Sequence, residues 1–299
     1  MTCYFPLTAW KPRDLSEYNP ETGKGKLVFN ENQGFPNTRM EIPCGQCIGC
    51  RLDRSRAWAV RCVHESSLYE NNCFVTLTYS DQHLPENNSL DKTHMVKFMK
   101  RLRKKYPDQK IRFFQCGEYG EELQRPHHHL LLFNFDFPDK AHFTSRNGTA
   151  LFLSKDLSEL WPFGMHTIGD ITFDSACYTA RYILKKITGD KAEDHYHGRT
   201  PEYITMSRNP GIGKTWYDAF NQDIYSHDHC VVHDNFICRP PKYYDRMYDQ
   251  QQPQLFKSLK TARKSRAKSS GENTADRLAV KHQIQQIKQK KVGRSYESP

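Results

Sequence analysis

Residues 126–133 read Pro-His-His-His-Leu-Leu-Leu-Phe, and this stretch constrains the fold more than any other. It opens a β-type run from His127 to Phe135 that follows another, Lys110 to Glu118, across a polar turn, so the two are expected to form a hairpin. Successive side chains of a strand point to opposite faces. His127 and His129 therefore share one face and His128 takes the other. Two imidazoles two residues apart on one face can share a metal ion, and a carboxylate would complete the set. Glu118 ends the partner strand, while Glu121 and Glu122 in the turn are rivals for the role. Two imidazoles, one carboxylate and water suit Mn2+ and accept Mg2+, and such an ion can polarise a phosphate oxygen. The plainer alternative is a surface strand of histidines that binds nothing. Pro126 before His127 and the apolar run after His129 favour this register; a shift of one residue would turn His128 to the site instead.

A second feature is the segment Tyr178-Thr-Ala-Arg-Tyr182-Ile-Leu-Lys185-Lys186. Asp174 is expected to cap a helix running from there to about Ile187. At about 100° per residue, Tyr178, Tyr182 and Lys185 fall on one narrow stripe, and Ala180, Ile183, Leu184 and Ile187 on another roughly opposite. The aliphatic stripe can serve as the core face, which leaves the tyrosines to face a cleft. A tyrosine hydroxyl has a pKa of about 10, so it needs a cation nearby to attack as an oxyanion. Lys185 and a metal ion could supply one. Packing is the ordinary alternative for aromatics one turn apart.

Other elements follow from pattern. Residues 1–43 read as loops and short strands, and 51–70 as a helix. Cys73 to Tyr79 is a β-type run. Asp91 to Tyr106 is a helix with Met95, Phe98, Met99, Leu102 and Tyr106 at helical spacing. Ser154 to Trp161 is a short helix, and Gly164 to Thr172 a strand. Residues 189–250 look irregular, and 254–291 helical with a break near Ser269–Gly271. This is an α+β order, divisible into an N-terminal cysteine-containing segment (1–50), a central domain (51–250) and a C-terminal tail (251–299).

That tail is strongly basic. Residues 257–299 hold 12 Lys/Arg and 3 Asp/Glu, against 32 and 31 in the rest of the chain. A basic extension on a nearly neutral body is an electrostatic footprint for nucleic acid. No apolar run approaches the ~20 residues of a membrane span, and the N-terminus does not read as a signal peptide. A soluble protein of the cytoplasm is expected, so the ten cysteines fit thiol or metal chemistry better than a disulfide framework. Cys44, Cys47 and Cys50 are candidate ligands of a structural zinc, although four ligands are needed and neither Cys62 nor His64 is an obvious fourth. Gly211-Ile-Gly213-Lys214-Thr215 departs from a phosphate-binding loop, because Arg208 stands where a glycine is required. It is expected to be a plain loop, so any unwinding would fall to a host enzyme. His227, His229, Cys230, His233 and Cys238 have a spacing that matches no metal-binding pattern.

The order of a β run (Phe74 to Tyr79), a His-x-His strand (127–129) and a Tyr-x-x-x-Tyr-x-x-Lys helix (178–185) resembles the HUH endonucleases. Within them, Cys44-Gly-Gln-Cys47-Ile-Gly-Cys50-Arg51 and the tyrosine segment are similar to those of the rolling-circle replication initiators of gokushoviruses, single-stranded DNA phages of the Microviridae. The resemblance spans roughly residues 40–245. It implies a five-stranded antiparallel sheet flanked by helices, with the histidines on a central strand and the tyrosine helix lying across the sheet. It further implies His127, His129 and Glu118 as ligands of Mg2+ or Mn2+, Tyr178 and Tyr182 as nucleophiles, and Lys185 as their aid. The activity implied is nicking of the phage origin by tyrosine transesterification, with 5′-phosphotyrosine linkage and later rejoining. Its partners would be single-stranded and supercoiled double-stranded origin DNA and the host helicase and replication machinery, inside the bacterial host. His128 departs from the bulky apolar residue usual between the two ligands. The competing readings are a non-catalytic nucleic-acid-binding protein and a metal-dependent nuclease that uses water.

Overall fold

The computed structural model describes residues 3–19, 25–120, 123–146, 148–181, 187, 191–232 and 236–291. In chain order the elements are β1 (Leu7–Ala9), β2 (Met40–Ile42), α1 (Ile48–Ser66), β3 (Asn72–Leu77), α2 (Lys92–Lys105), β4 (Arg112–Tyr119), β5 (Pro126–Phe133), β6 (Ala141–Arg146), β7 (Thr149–Leu153), α3 (Lys155–Leu160), β8 (His166–Gly169), α4 (Phe173–Arg181), α5 (Lys191–Tyr196), β9 (Tyr203–Met206), α6 (Lys214–His227), β10 (Cys230–Val231), β11 (Ile237–Cys238), α7 (Lys242–Gln251), α8 (Pro253–Ser269) and α9 (Ala275–Lys291). Among the described residues they group into two compact units, one made of residues up to Asp53 together with those from Lys260, the other of Arg54–Leu259.

The larger unit is built on an antiparallel sheet in the order β6-β7-β8-β3-β5-β4-β9. Seven strands are seen among the described residues, where five were expected. The additional length comes from the β6–β7 hairpin, which the Asn147-Gly148 dipeptide announces: Gly148 takes φ +78°, the left-handed geometry that tight hairpins need. β5 lies between β3 and β4, and the sheet is covered on both faces. Leu130 and Leu132 of β5 meet Cys73, Val75 and Leu77 of β3, Met95, Phe98, Met99 and Leu102 of α2, and Leu157 and Leu160 of α3. Leu131 and Phe133 point the other way, to Phe74, Phe114, Ala59 and Cys62 of α1, and Ala176, Tyr178 and Ala180 of α4. A strand buried on both faces reads as a continuous apolar run rather than an alternation, which accounts for Leu-Leu-Leu-Phe.

Local chemistry fixes the helix ends. The Asp91 carboxylate caps α2 by accepting from the Thr93 N–H at 2.7 Å, and the Ser154 hydroxyl caps α3 by accepting from the Leu157 N–H. α4 is capped by Thr172, not by Asp174 as expected. The Ser175 N–H donates to Thr172 Oγ1 at 3.1 Å and the Thr172 N–H to Ser175 Oγ at 2.8 Å, a reciprocal pair at the helix start.

Residues 189–250 are not irregular. They hold α5, β9, α6, β10, β11 and α7. Their aromatic residues are weak helix formers in isolation, but Tyr217, Ile224, Tyr225 and Tyr244 pack with Val60, Cys230 and Cys238 into a core of their own. Tertiary burial, not propensity, makes these helices. The expected C-terminal break is present: α8 ends at Ser269, Gly271 adopts φ +63°, and α9 begins at Ala275. In the smaller unit α9 is anchored rather than loose, with Leu278 buried and His282 packed against the rings of Tyr4 and Phe5.

Candidate functional site

The β4–β5 register pairs Glu118 with His127 and Cys116 with His129. Glu118 is buried, and its Oε1 lies 2.8 Å from Nε2 of both His127 and His129. The three side chains offer ligand atoms that all fall within 4.8 Å of one another. Glu121 and Glu122, the rival acids, lie outside the described residues, as do Tyr182, Lys185 and Lys186 of the tyrosine segment and His233.

Each imidazole is oriented from behind. Nδ1 of His127 lies 3.1 Å from the Arg125 carbonyl, and Nδ1 of His129 lies 3.0 Å from Thr76 Oγ1. A carbonyl only accepts, so Nδ1 of His127 carries the proton. The neutral ring then turns the lone pair of Nε2 toward Glu118 Oε1, where a proton or a cation must lie between them. This is the donor set and outer-shell arrangement of a divalent-cation site. Burial opposes ionisation of Glu118, but the hydrogen bonds from His127 and His129 outweigh it and hold the carboxyl below its ordinary range. Thr76 was not singled out from sequence. Its signal was the strand run Phe74 to Tyr79, whose register on β5 sets Thr76 opposite His129.

His129 sits between two aromatic rings. Phe74 stacks on it at 5.6 Å between centroids, and Tyr178 meets it edge-on at 5.0 Å with an interplanar angle of 85°. The structure therefore brings Tyr178 to the histidine pair. It does not display Tyr178 in an open cleft, since the residue is only 5% exposed. Nor do the aliphatic and tyrosine stripes divide α4 cleanly, because Ala176, Tyr178, Thr179 and Ala180 are all buried. A helix lying across a sheet buries more than half its circumference, and Tyr178 stands on the buried arc.

His128 points to the opposite face and is completely buried there. Its Nε2 lies 3.1 Å from the Tyr79 hydroxyl, which in turn lies 2.9 Å from Nδ1 of His94, and its Nδ1 lies 3.5 Å from the Tyr203 hydroxyl. Burial, with the nearby His127, His129 and His94 adding to it, depresses its pKa to about 3, so it is neutral at ordinary pH. Gly117 makes room for this cluster, since a Cβ there would come within 2.6 Å of the Tyr203 ring. The polar network explains why a histidine is tolerated where an apolar residue was expected.

The remaining motifs separate clearly. Cys44, Cys47 and Cys50 lie together, and Cys3 joins them. Cys62 is buried among the α1 and α4 core residues, and His64 stacks on Trp216 at 3.5 Å. The Gly211–Thr215 segment is a turn leading into α6. The Gly213 N–H donates to the Glu65 carboxylate at 2.7 Å, so a buried side chain already fills the place of an anion. Glu65 also pairs with Arg112 at 2.5 Å. Cys230 and Cys238 are buried partners across the β10–β11 ladder, and His227 is exposed beside them in sequence.

Comparisons with known proteins bear on this arrangement. A family model of replication-associated proteins, the ORF2 type, matches residues 72–187, a stretch that contains Glu118, His127, His129 and Tyr178. The chain is 34% identical over 240 residues to replication-associated protein VP4 of Bdellovibrio phage phiMH2K, covering 77% of this chain and 75% of that one. It is 38% identical over 224 residues to replication-associated protein ORF2 of Spiroplasma virus 4, covering 70% and 68%. A third relative, replication-associated protein ORF4 of Chlamydia phage 1, is 34% identical over 181 residues, covering 57% and 45%. No solved structure matches the chain significantly. None of the described helices is long and apolar enough to cross a membrane.

Proposed function

The chain belongs to the replication-associated proteins of the microviruses, and from that premise we propose that it initiates rolling-circle replication by cutting one strand of the phage origin with a tyrosine and later rejoining the ends. The observation that carries this reading is the meeting of Tyr178 with His129, whose Nε2 shares one carboxylate oxygen with His127. A plain nucleic-acid binder has no use for a phenol against a convergent His/His/Glu set.

Glu118, His127 and His129 would hold Mg2+ or Mn2+, which when bound supplies Lewis-acid polarisation of the scissile phosphate. Tyr178 and Tyr182 are the nucleophiles. The phenolic oxygen bonds to phosphorus, the 3′-oxygen leaves and takes a proton, and the phenol gives one up. The phosphotyrosine bond conserves the energy of the phosphodiester, so the 3′-hydroxyl can later displace the tyrosine without ATP. Two tyrosines allow one to hold a 5′-phosphate while the other cuts the regenerated origin. Lys185 favours the phenolate. Because Tyr178 is nearly buried, the DNA strand must displace what covers it before attack. Single-stranded and supercoiled origin DNA are the substrates, and strand separation falls to a host helicase.

The test is a denaturing gel of the protein incubated with labelled circular single-stranded phage DNA and Mn2+. A labelled band at the protein's position is the expected result. Cleaved DNA with no such band would instead mean attack by water, and neither cleavage nor adduct would leave only a binding role.

A further inference from the structure

Cys3 joins Cys44, Cys47 and Cys50 so that all four sulfurs lie within 4.8 Å of one another. The sequence run alone provides three ligands; the fourth arrives from 41 residues upstream of Cys44. We propose that these four thiolates hold a structural Zn2+ ion that closes the N-terminal segment onto the start of α1.

The geometry suits one tetrahedral ion. A Zn–S bond of about 2.3 Å places neighbouring sulfurs about 3.8 Å apart, and Cys3 Sγ and Cys47 Sγ are 3.9 Å apart. That pair is far outside the ~2.05 Å of a disulfide bond. Four sulfurs drawn this close also leave no space for a cubane of four irons, which holds its cysteines farther apart around a larger body.

Backbone donors favour the thiolate form. The Cys44 N–H points at Cys3 Sγ (3.2 Å), the Cys47 N–H at Cys44 Sγ (3.3 Å) and the Tyr4 N–H at Cys47 Sγ (3.4 Å). Hydrogen bonds to an ionised acceptor are the stronger kind, and oriented amides of this sort disperse charge on metal-bound sulfur. Gly45 makes the turn. Its φ of +75° is a conformation that side chains other than glycine's resist, and it brings the Cys47 N–H back to Cys44.

The segment also needs such a link. Among the described residues between Cys3 and Cys50, the buried hydrophobic ones are Cys3, Ala9 and Trp10, and the regular structure is two three-residue strands, β1 and β2, with short 3-10 turns. A stretch of this length with so small a core is normally held by a metal or by disulfides. With four protein ligands the ion would have no open position, which is the arrangement of a structural site rather than a catalytic one. The inference is independent of the His/Glu reading, because it uses none of the same residues.

The experiment is metal analysis of the full chain carrying His127→Ala and His129→Ala, which removes the other candidate metal site. About one zinc per chain is expected, with four thiols protected from alkylation until a chelator is added. Cobalt exchange should give the near-ultraviolet sulfur-to-cobalt charge-transfer band and strong visible bands of a tetrahedral S4 site. Cys3→Ser should lose the zinc and become sensitive to protease between residues 3 and 44, while Cys177→Ser should keep both zinc and resistance. If Cys3→Ser proves insoluble, the alkylation pattern of the parent protein still decides. Freely reacting thiols, two disulfides by mass spectrometry, or zinc retained by Cys3→Ser would each overturn the proposal.

Discussion

Tyr178 stands edge-on to His129, their ring centroids 5.0 Å apart. The contact uses the ring and not the hydroxyl, so phenylalanine at 178 preserves the packing and deletes only the nucleophile. Tyr178→Phe and Tyr182→Phe singly should each leave some cleavage but block the coupled cut-and-join events that release a finished circle. The double variant should form no covalent adduct while keeping DNA and metal binding. Mass spectrometry of the trapped adduct locates the nucleotide, and an adduct on Tyr203 or Tyr217, or full circle release by a single variant, would overturn the two-nucleophile mechanism.

The two faces of β5 predict opposite phenotypes for adjacent histidines. His127→Ala and His129→Ala should abolish nicking and metal binding with modest effects on folding. His128→Ala should do the reverse, destabilising the fold by about 1–3 kcal/mol through the stranded Tyr79 and Tyr203 hydroxyls, yet nicking normally per folded molecule. Glu118→Ala should weaken Mn2+ binding, by calorimetry, far more than Glu122→Ala. Equal effects of those two would reassign the acid.

Glu65 and Arg112 form a nearly fully buried ion pair, further bonded to the Gly213 N–H and the Pro210 carbonyl. Removing one partner strands a buried charge, so Arg112→Met should cost about 3–5 kcal/mol in urea unfolding. Combining it with Glu65→Gln should cost less than the sum of the two singles. Additive losses would mean that the pair is not coupled.

His64 is held neutral. Burial pushes its pKa down to about 4 from the usual 6.5. Its folded value lies below its unfolded value, so the unfolded chain takes up the proton first as pH falls. The stability is intact above about pH 6.5 and declines between there and about pH 4, with a slope approaching ~1.4 kcal/mol per pH unit from this group. His64→Gln should flatten the decline in that window relative to the parent. Identical pH profiles would exclude His64 as its source.

The basic C-terminal helices call for charge substitutions rather than truncation, because α9 packs on Tyr4 and Phe5 and its removal would damage the smaller unit. Replacing the exposed Lys257, Lys260, Lys264 and Lys268 of α8 with glutamine should weaken binding to single-stranded DNA. Each lost phosphate contact should reduce the slope of log K against log salt by ~0.7, while cleavage of a bound oligonucleotide survives. An unchanged slope would remove α8 from the DNA interface.

Much of the candidate site was legible because strand alternation and hairpin register are local rules. Once Lys110–Glu118 and His127–Phe135 are strands of one hairpin, Glu118 must stand beside His127. The α2 stripe and the break at Gly271 follow from equally local patterns. What was not legible depends on distant packing. Burial of Tyr178 reflects how α4 lies on the sheet. The helices of residues 189–250 exist because Tyr217 and Tyr244 find a core with Val60. Cys3 was overlooked as a partner because nothing near it in sequence marks it; only the fold carries it back to Cys44.

The smaller unit is assembled from both ends of the chain, whereas the larger one, among the described residues, is a single stretch, Arg54–Leu259. On the ribosome these two cannot mature together. The sheet and its histidines can close while the residues from Lys260 onward are still being made, since domains fold as units during synthesis. The residues before Asp53 must wait through nearly the whole of translation for their C-terminal partners. A ribosome that stalls just before Lys260 would therefore release a chain with a complete sheet and an unfinished N-terminus, and in an infected cell proteases would encounter that end first.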